Sequence, residues 1–332
     1  MIAKLLLKRF KPEIIGITGS VGKTSTKLAI YTVLKEFGYR VRAAGGNLNN
    51  ETGLPLAIIG DYQKSTGFFF LSKAILAGLI KLISPFSGKD YPKILILEYG
   101  ADKPGDIDYL VKIARPSIAV VTAIGETPVH VEFYENQKEV IKEKEKLIKA
   151  VGQNGFAILN ADDPDVISMK SDAKTKTYGL GKEADVVISN IKNVVEKDRG
   201  YLSFDIKSTK ASGSVRLEGI LGAGYAYAVG AAIAVGIVKG KLFNELTNCA
   251  NKYIGERGRM RIMRGVNNTL IIDDTYNASP ESTKNALEVL GGINKRMRIA
   301  VLGDMLELGS YSDQAHKKIG ELVAKTANLL FT

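Results

Sequence analysis

The sequence predicts an α/β protein with a P-loop-containing, mostly parallel central sheet covered by helices on both faces, followed by a partial Rossmann-like α/β domain. Three observations support this fold class. A Gly-rich turn stands between an apolar strand pattern at 13–18 and a helix-periodic segment at 25–37. Uninterrupted apolar runs at 93–98 and 117–122 are typical of strands that are buried on both faces. Strand and helix patterns also alternate along the chain, which indicates a parallel sheet covered by helices.

The other elements of the first unit can be assigned in chain order. Residues 1–10 predict a short amphipathic helix, and a helix at 137–151 precedes a strand at 156–160. Residues 184–219 have a more polar, strand-like pattern, which predicts an antiparallel extension of the sheet. Residues 222–238 predict a helix of small residues, rich in Ala and Gly.

A second unit begins near residue 255. Its pattern predicts strands at 269–273 and 298–302, helices at 282–290 and 315–326, and the start of a further strand at 329. We therefore expect a central domain over 1–252, carrying an apolar insert at about 62–90, and an incomplete second domain over 253–332.

The amino-acid composition and net charge exclude several classes of site and partner. The 332 residues include one cysteine and two histidines, which excludes a disulfide framework, a Cys-rich zinc site and a multi-histidine metal site. The net charge of +11 favours anionic partners such as nucleotides, phosphates, nucleic acid or anionic lipid. No nucleic-acid motif or basic patch interleaved with aromatic residues is present, so nucleic acid is not an expected partner. We expect a monomer that binds small molecules.

Residues 68–86 form an apolar run interrupted by Lys73 and Lys81. Two central lysines make a membrane-spanning helix costly. Two interpretations stay open: a helix packed on protein, and a helix lying at a membrane interface. Residues 1–10 contain three cations and lead into no cleavage site, so they do not indicate a targeting segment. We expect a cytoplasmic protein, with peripheral contact at the inner membrane face as the second interpretation.

The strongest local motif is GITGSVGKTS at residues 16–25, between the first strand and the first long helix. The backbone N–H groups of such a loop, together with the helix N-terminus, bind phosphate. Lys23 can reach the β- and γ-phosphates, and the Thr24 hydroxyl can ligate Mg²⁺. Ile17 stands where the commonest P-loop has its first glycine. The predicted ATP-binding residues are Gly19, Ser20, Val21, Gly22, Lys23, Thr24 and Ser25.

Three further side chains are candidates for chemistry. Glu98 ends an apolar strand, where ligands of parallel sheets bind, and is a natural Mg²⁺ ligand beside phosphates. His130 lies in a loop, and a lone loop histidine is more often a surface residue than a ligand. At 100° per residue, Lys144 falls in the middle of the apolar stripe of helix 137–151. A buried ammonium is costly unless it is paired, neutral or modified, so Lys144 indicates a functional or modified lysine.

Polar segments elsewhere have less specific interpretations. The turn-rich segment at 45–55, GGNLNNETGLP, either binds substrate or satisfies its own backbone. In the second unit, 271–280 and 301–309 place polar groups after two strands. If the two strands are neighbours in the sheet, the polar groups at their ends outline a cleft.

Together these motifs resemble the Mur ligase family, the ATP-dependent amide-forming ligases of peptidoglycan precursor synthesis. The similarity spans roughly residues 14–332. The segments GNLNNETGLPL, Glu98-Tyr-Gly-Ala, NADD at 160–163, DDTYNASP and AVLGDMLELG are similar to the branch that adds D-alanyl-D-alanine to a UDP-N-acetylmuramoyl-tripeptide. This resemblance implies that ATP phosphorylates a substrate carboxylate and that an amine attacks the acyl phosphate, giving an amide, ADP and phosphate.

The resemblance also implies roles for individual residues. Thr24 and Glu98 would serve two Mg²⁺ sites, and His130 would serve the second metal. Lys144 occupies the position of a lysine that is carbamylated and bound to Mg²⁺ in several Mur ligases. The expected catalytic residues are Lys23, Lys144 and His130. The expected nucleotide contacts from the second unit are Arg259, Asp274, Tyr276 and Asn277, and the expected substrate contacts are Asn47, Asn49, Asn50 and Thr52.

The chain departs from the family pattern in three places. The P-loop begins at residue 16, so the family's first, uridine-nucleotide-holding domain has no room, and the second domain is cut short at Thr332. Residues 221–228, LGAGYAYA, lack the His and Asn that the family often places near adenine. Two alternatives stay open: a different ligase of the superfamily acting with a partner, and a non-catalytic ATP-binding scaffold. We expect the chain to bind ATP but to ligate poorly alone.

Overall fold

The central sheet occupies the first two thirds of the chain. The computed structural model describes residues 1–46, 48–62, 67–84, 87–125, 134–196 and 199–332, excluding the side chains of Phe68, Ser87 and Asn268. Within these residues the large sheet has the strand order β2-β3-β1-β4-β5-β6-β7-β8-β9. Its strands are β1 Glu13–Thr18, β2 Val41–Ala43, β3 Ile94–Glu98, β4 Ile118–Val121, β5 Phe156–Asn160, β6 Lys174–Gly179, β7 Val186–Glu196, β8 Arg199–Ser208 and β9 Ser212–Glu218.

Strands β1 to β7 pair in parallel, and β8 and β9 extend the sheet in antiparallel pairs. The predicted parallel sheet with an antiparallel extension is therefore confirmed. The first unit contributes the helices α1 Ile2–Phe10, α2 Lys23–Glu36, α3 Gly53–Ile59, α4 Phe68–Ile83, α5 Ser87–Asp90, α6 Asp106–Ile113, α7 Gln137–Val151, α8 Pro164–Ile167, α9 Ala223–Val238 and α10 Phe243–Ala250.

Helices cover both faces of the sheet because successive strand residues point to opposite sides. In β3, Ile94 and Ile96 join the apolar cluster under α2, α9 and α10. Leu95 and Leu97 join the cluster under α1, α3, α6 and α7. Burial on both faces explains why this strand has an unbroken apolar sequence. The expectation of helices on both faces is confirmed.

Helix α9 packs closely because its residues are small. A Cβ added at Gly230 would lie 2.8 Å from Ile188 Cδ1, and one at Gly236 would lie 2.0 Å from Leu246 Cδ2. Larger side chains at these positions would push α9 away from the sheet and from α10. The helix predicted at 222–238 is confirmed.

The second unit contains two short strand pairs and two helices, β10 Arg261–Arg264, β11 Leu270–Asp273, α11 Pro280–Gly292, β12 Ile299–Val301, α12 Ser312–Thr326 and β13 Leu329–Phe331. Its core includes Leu287, Ala300, Ile319 and Val323. Strand β11 pairs antiparallel with β10, and β12 pairs parallel with β13. The expectation that β11 and β12 are neighbouring strands is therefore not met in the described residues, because the chain reverses near Gly265 and β11 folds back on β10.

Helix α4, in the expected insert, packs on protein through one face. Ala74 and Gly78 are buried, and a Cβ at Gly78 would lie 2.7 Å from Ile2 and 3.4 Å from Ile59. The opposite face of α4 is exposed. In the part of the chain that is described, no helix combines the length and apolar character needed to cross a bilayer.

Candidate active site

The predicted phosphate loop lies at the topological switch point of the sheet. Strand β1 lies between β3 and β4, and from β1 the chain moves first toward β2 and β3 and later toward β4 and β5. Parallel sheets bind ligands in the crevice at such a point, outside the carboxyl ends of the strands. The loop of residues 19–22 follows β1 there and leads directly into α2.

The end of β4 fixes the shape of this loop. Ser20 N donates to Ala123 O over 2.6 Å, and Thr122 Oγ1 donates to Val21 O over 2.7 Å. Gly19 has φ +140°, and a Cβ on it would lie 2.0 Å from Thr122 Oγ1. Only glycine fits such a position without displacing β4. Gly22, with φ +87°, is the N-cap residue of α2.

The first N–H groups of a helix have no partner within the helix, and they carry partial positive charge. In α2 these groups belong to Lys23 and the residues after it, so they face the end of the loop. Lys23 Nζ donates to Gly19 O over 2.7 Å and to Ser20 O over 3.1 Å. Burial lowers the pKa of the Lys23 amine, and the Glu98 carboxylate partly offsets that shift. The loop, the helix N-terminus and this ammonium form a concave, positively charged cradle that fits phosphate.

Glu98 lies beside this cradle, at the end of β3. Its Oε2 is 3.4 Å from Thr24 Oγ1, and its Oε1 is 2.8 Å from Lys27 Nζ. Carboxylate and hydroxyl oxygens are ligands that Mg²⁺ prefers, so Thr24 and Glu98 fit a magnesium site. Lys27 holds one carboxylate oxygen and leaves the other beside Thr24.

Sequence reasoning missed Lys27. Its side chain is only 3% exposed, and its Nζ also donates to Ala44 O over 2.7 Å. The helical periodicity that places Lys144 on an apolar stripe also places Lys27 on one. At 100° per residue, Lys27 lies 60° from Ile30 and 20° from Leu34, so it belongs to the buried stripe of α2.

Lys144 is buried, as its place on the apolar stripe of α7 predicts, with 1% exposure. Its Nζ donates to Gly19 O over 3.3 Å, the same oxygen that accepts from Lys23. Burial, reinforced by the nearby Lys23 ammonium, lowers the pKa of the Lys144 amine to about 7. Near neutral pH a large fraction of this amine is therefore uncharged and nucleophilic.

The second unit reaches the same crevice through Arg259. Arg259 Nη2 lies 3.4 Å from Thr24 Oγ1, and the guanidinium lies 4.1 Å from the Tyr276 ring centroid. Asp274 Oδ1 accepts from Met260 N over 3.1 Å, and burial raises the pKa of this carboxyl to about 6. Asn277 is exposed, and its Oδ1 accepts from Ala278 N. Arg259 and Tyr276 thus lie together, whereas the Asn277 side chain interacts locally.

Residues 48–53 lie next to the end of β3, close to Glu98. Asn49 O accepts from Gly100 N over 2.8 Å, and Asn50 Oδ1 accepts from Gly53 N over 2.9 Å. Thr52 is exposed. Asn50 therefore satisfies its own backbone, one of the two expectations for this segment.

Two predicted site residues, Asn47 and His130, lie outside the described residues. Among the residues that are described, no three His, Cys, Asp or Glu side chains group as a metal site. The candidate magnesium ligands among these residues are thus one carboxylate, that of Glu98, and one hydroxyl, that of Thr24, and the Lys144 amine lies at Gly19 O.

Residues 221–228 lack the His and Asn that the family often places near adenine. There, Tyr227 Oη donates to Asp162 Oδ2 over 2.8 Å, and Asp162 also accepts from the backbone N–H of Leu180 and of Gly181. Tyr227 is thus held by Asp162, which follows β5 and also binds the turn after β6.

The sheet, the glycine loop and the helix N-terminus define a P-loop α/β protein. Two family models match the chain: the Mur ligase middle domain at 78–236 and the Mur ligase glutamate ligase domain at 258–332. They match 159 and 75 residues, together 234 of 332. The chain belongs to the Mur ligase family.

Named relatives agree with this assignment. The UDP-N-acetylmuramoyl-tripeptide--D-alanyl-D-alanine ligase of Bacillus subtilis is 31% identical over 326 residues, which are 97% of this chain and 63% of the relative. The enzyme of that name from Escherichia coli is 27% identical, over 99% of this chain and 65% of its own length. The chain thus spans a little under two thirds of these relatives.

Solved structures show the same similarity. The crystal structure of MurF ligase from Thermotoga maritima in complex with ADP is 29% identical and superposes with a TM-score of 0.78. The match covers 99% of this chain and 68% of that protein. The expected family and fold class are therefore confirmed.

Proposed function

We propose that the chain carries the nucleotide-binding and catalytic parts of an ATP-dependent amide ligase that adds D-alanyl-D-alanine to a UDP-N-acetylmuramoyl-tripeptide. The substrates are those in the names of the Bacillus subtilis and Escherichia coli relatives. One observation supports the chemistry most directly. The loop after β1, Glu98 at the end of β3, and Lys144 of α7 all meet within contact distance of residues 19–24.

The binding of ATP would rest on the loop of residues 19–22 and on α2. Their backbone N–H groups and the Lys23 ammonium would hold the β- and γ-phosphates. When bound, ATP supplies the phosphoryl group that activates a substrate carboxylate, and Mg²⁺ offsets the negative charge of the phosphates. Thr24 Oγ1 and Glu98 Oε2 would hold one Mg²⁺, and Lys27 would keep Glu98 in the required orientation. Arg259 would bring the second unit against the nucleotide.

Lys144 would serve as a carbamate, as its position in the family suggests. Its uncharged amine attacks the carbon of CO₂, an N–C bond forms, and the nitrogen releases a proton to solvent. The product is an anion that can bind a second Mg²⁺. The low pKa of Lys144 supports this assignment, because only the neutral amine reacts. His130 stays a candidate ligand of that second metal.

The decisive experiment measures ADP release by this chain with UDP-N-acetylmuramoyl-tripeptide, with and without D-alanyl-D-alanine. We expect ATP binding, and slow ADP release that requires both substrates. Lys23→Met should abolish the release, whereas Lys207→Met, an exposed lysine on β8, should leave it unchanged.

Other outcomes separate the alternatives. ADP release that requires a different amine would indicate another ligase of the superfamily. ATP binding without any substrate-dependent turnover, even when the parts of a relative that this chain does not span are added, would indicate a scaffold. Failure to bind ATP would overturn the proposal altogether.

The carbamate has its own test. With ¹³C-bicarbonate, a carbamate resonance should appear in the wild-type chain and be absent from Lys144→Ala. Short-chain carboxylic acids should partly restore ligation to that variant. A spectrum without this resonance would contradict the modification.

The expected monomeric state stays a prediction that light scattering can check. The expected membrane contact is a separate matter, because it depends on α4 and not on the nucleotide site.

A further inference from the structure

The exposed side of α4 is apolar from Ile75 to Ile83. Ile75, Leu76, Leu79, Ile80 and Ile83 are 48%, 58%, 41%, 57% and 79% exposed. At 100° per residue they lie at 100–240° from the buried Ala74, so they form one continuous face. We call these five residues the outer face of α4.

A helix that is apolar on all sides is normally covered on all sides. The inner side of α4 is covered, because Ala74 and Gly78 pack on α1 and α3. The outer face is exposed, and a continuous apolar patch of this kind marks an interaction surface. The neighbouring helix α1 and its N-cap residue also expose apolar side chains, Leu5 at 44% and Met1 at 96%.

The charges carried by α1 and α4 have one sign. Neither α1 nor α4 contains an acidic residue, and together they contain five cations. Lys4, Lys8 and Lys73 are exposed. Arg9 donates to Leu82 O and Ser84 O, so it joins α1 to the end of α4 and keeps both helices in one layer.

We propose that α1 and α4 dock this protein onto an anionic lipid bilayer, with α4 lying in the plane of the interface. The outer face would enter the boundary between headgroups and acyl chains, and the lysines beside it would meet anionic headgroups. The 16 residues of α4 span about 24 Å, short of the ~30 Å hydrocarbon core. The helix therefore lies on the bilayer and does not cross it.

A second copy of the chain fits this face less well. Two copies related by a twofold axis would place the same patch against itself. Lys4, Lys8 and Lys73 of one copy would then meet those of the other, and like charges repel. An anionic bilayer supplies both the apolar layer and the opposite charge.

The test is flotation of the full chain with two kinds of vesicle, phosphatidylcholine alone and an equimolar mixture of phosphatidylcholine and phosphatidylglycerol. We expect the protein to float with the mixed vesicles, to bind phosphatidylcholine much more weakly, and to lose part of its binding as salt is raised. ATP binding, measured on the same samples, reports separately on the proposed function.

Two sets of variants separate the contributions. The triple variant Leu76→Ser, Ile80→Ser, Ile83→Ser should weaken partitioning at least about tenfold, because it removes apolar surface from the bilayer. The double variant Lys4→Gln, Lys8→Gln should weaken it about fivefold for each lysine. All substituted side chains are exposed, so folding and ATP binding should be unchanged. The matched controls, which should bind as the wild type does, are Leu180→Ser with Leu242→Ser and Ile254→Ser, and Lys207→Gln with Lys210→Gln.

Three results would overturn the proposal. The wild-type chain could fail to float with the mixed vesicles. Its binding could survive both sets of variants, or fall equally in the controls. Light scattering without lipid could also show a dimer that the triple serine variant dissociates, which would make a second copy the occupant of this face.

Discussion

Replacing Lys27 by methionine should destabilise the protein strongly, although Lys27 lies outside the loop that defines the site. Lys27 and Glu98 form an ion pair of 2.8 Å in which both side chains are 3% exposed. Methionine keeps most of the volume and the apolar stem of lysine but removes the charge. The substitution therefore leaves a buried carboxylate without its cation.

The expected loss is large because water cannot replace the missing partner. Removing one member of a buried ion pair typically costs 3–5 kcal/mol. Glu98 keeps Thr24 Oγ1 at 3.4 Å, a long contact that compensates little. The hydrogen bond from Lys27 to Ala44 O, 2.7 Å, is lost as well. We expect the free energy of unfolding to fall by about 3 kcal/mol.

Urea unfolding followed by far-UV circular dichroism measures this loss. The double variant Lys27→Met, Glu98→Gln removes both charges and should recover at least about half of it, because a neutral pair avoids the buried charge. The matched control is Lys252→Met. Lys252 pairs with Glu36 at the surface, 65% exposed, and its removal should change stability little.

Two results would refute the reasoning. One is a Lys27→Met protein within about 0.5 kcal/mol of the wild type, below the cost expected for a buried ion pair. The other is a double variant no more stable than Lys27→Met, because the loss would then not come from an unpaired Glu98.

The other predictions concern the loop and two groups with shifted pKa values. Gly19→Ala should abolish ATP binding and lower the melting temperature, because its Cβ would overlap Thr122; Gly38→Ala, at φ +77° with open space around it, should leave ATP binding intact. Asp274 has a folded-state pKa of about 6, above its unfolded value of 3.8, so it stabilises the fold at low pH and loses that contribution as pH rises through 6. Asp274→Asn should flatten the stability profile between pH 4 and 6, measured by urea unfolding, and an unchanged slope would contradict the assignment. Lys144 has its pKa lowered to about 7, so its contribution is full above pH 10.5 and is lost as pH falls toward 7. In CO₂-free buffer at pH 8, Lys144→Met should therefore be more stable than the wild type by about 3 kcal/mol, and a less stable variant would refute this.

Much of the fold and part of the candidate site could be predicted from the sequence. The phosphate loop was evident because a strand, a glycine turn and a helix follow one another within 25 residues. Glu98 was located because it ends an apolar run, and Lys144 because helical periodicity places it on the apolar stripe. These features depend on residues that are close in the chain, so local pattern suffices to identify them.

The tertiary structure alone decided which of these groups meet. Glu98 follows Lys27 by 71 residues and Arg259 follows Thr24 by 235, and no local pattern pairs residues so far apart. The same holds for the pairing of β11 with β10 and for the exposed side of α4, because apolar residues lie on both sides of this helix and the sequence does not show which side is covered. Periodicity shows which face of an element is apolar, whereas the packing of distant segments determines what each face contacts.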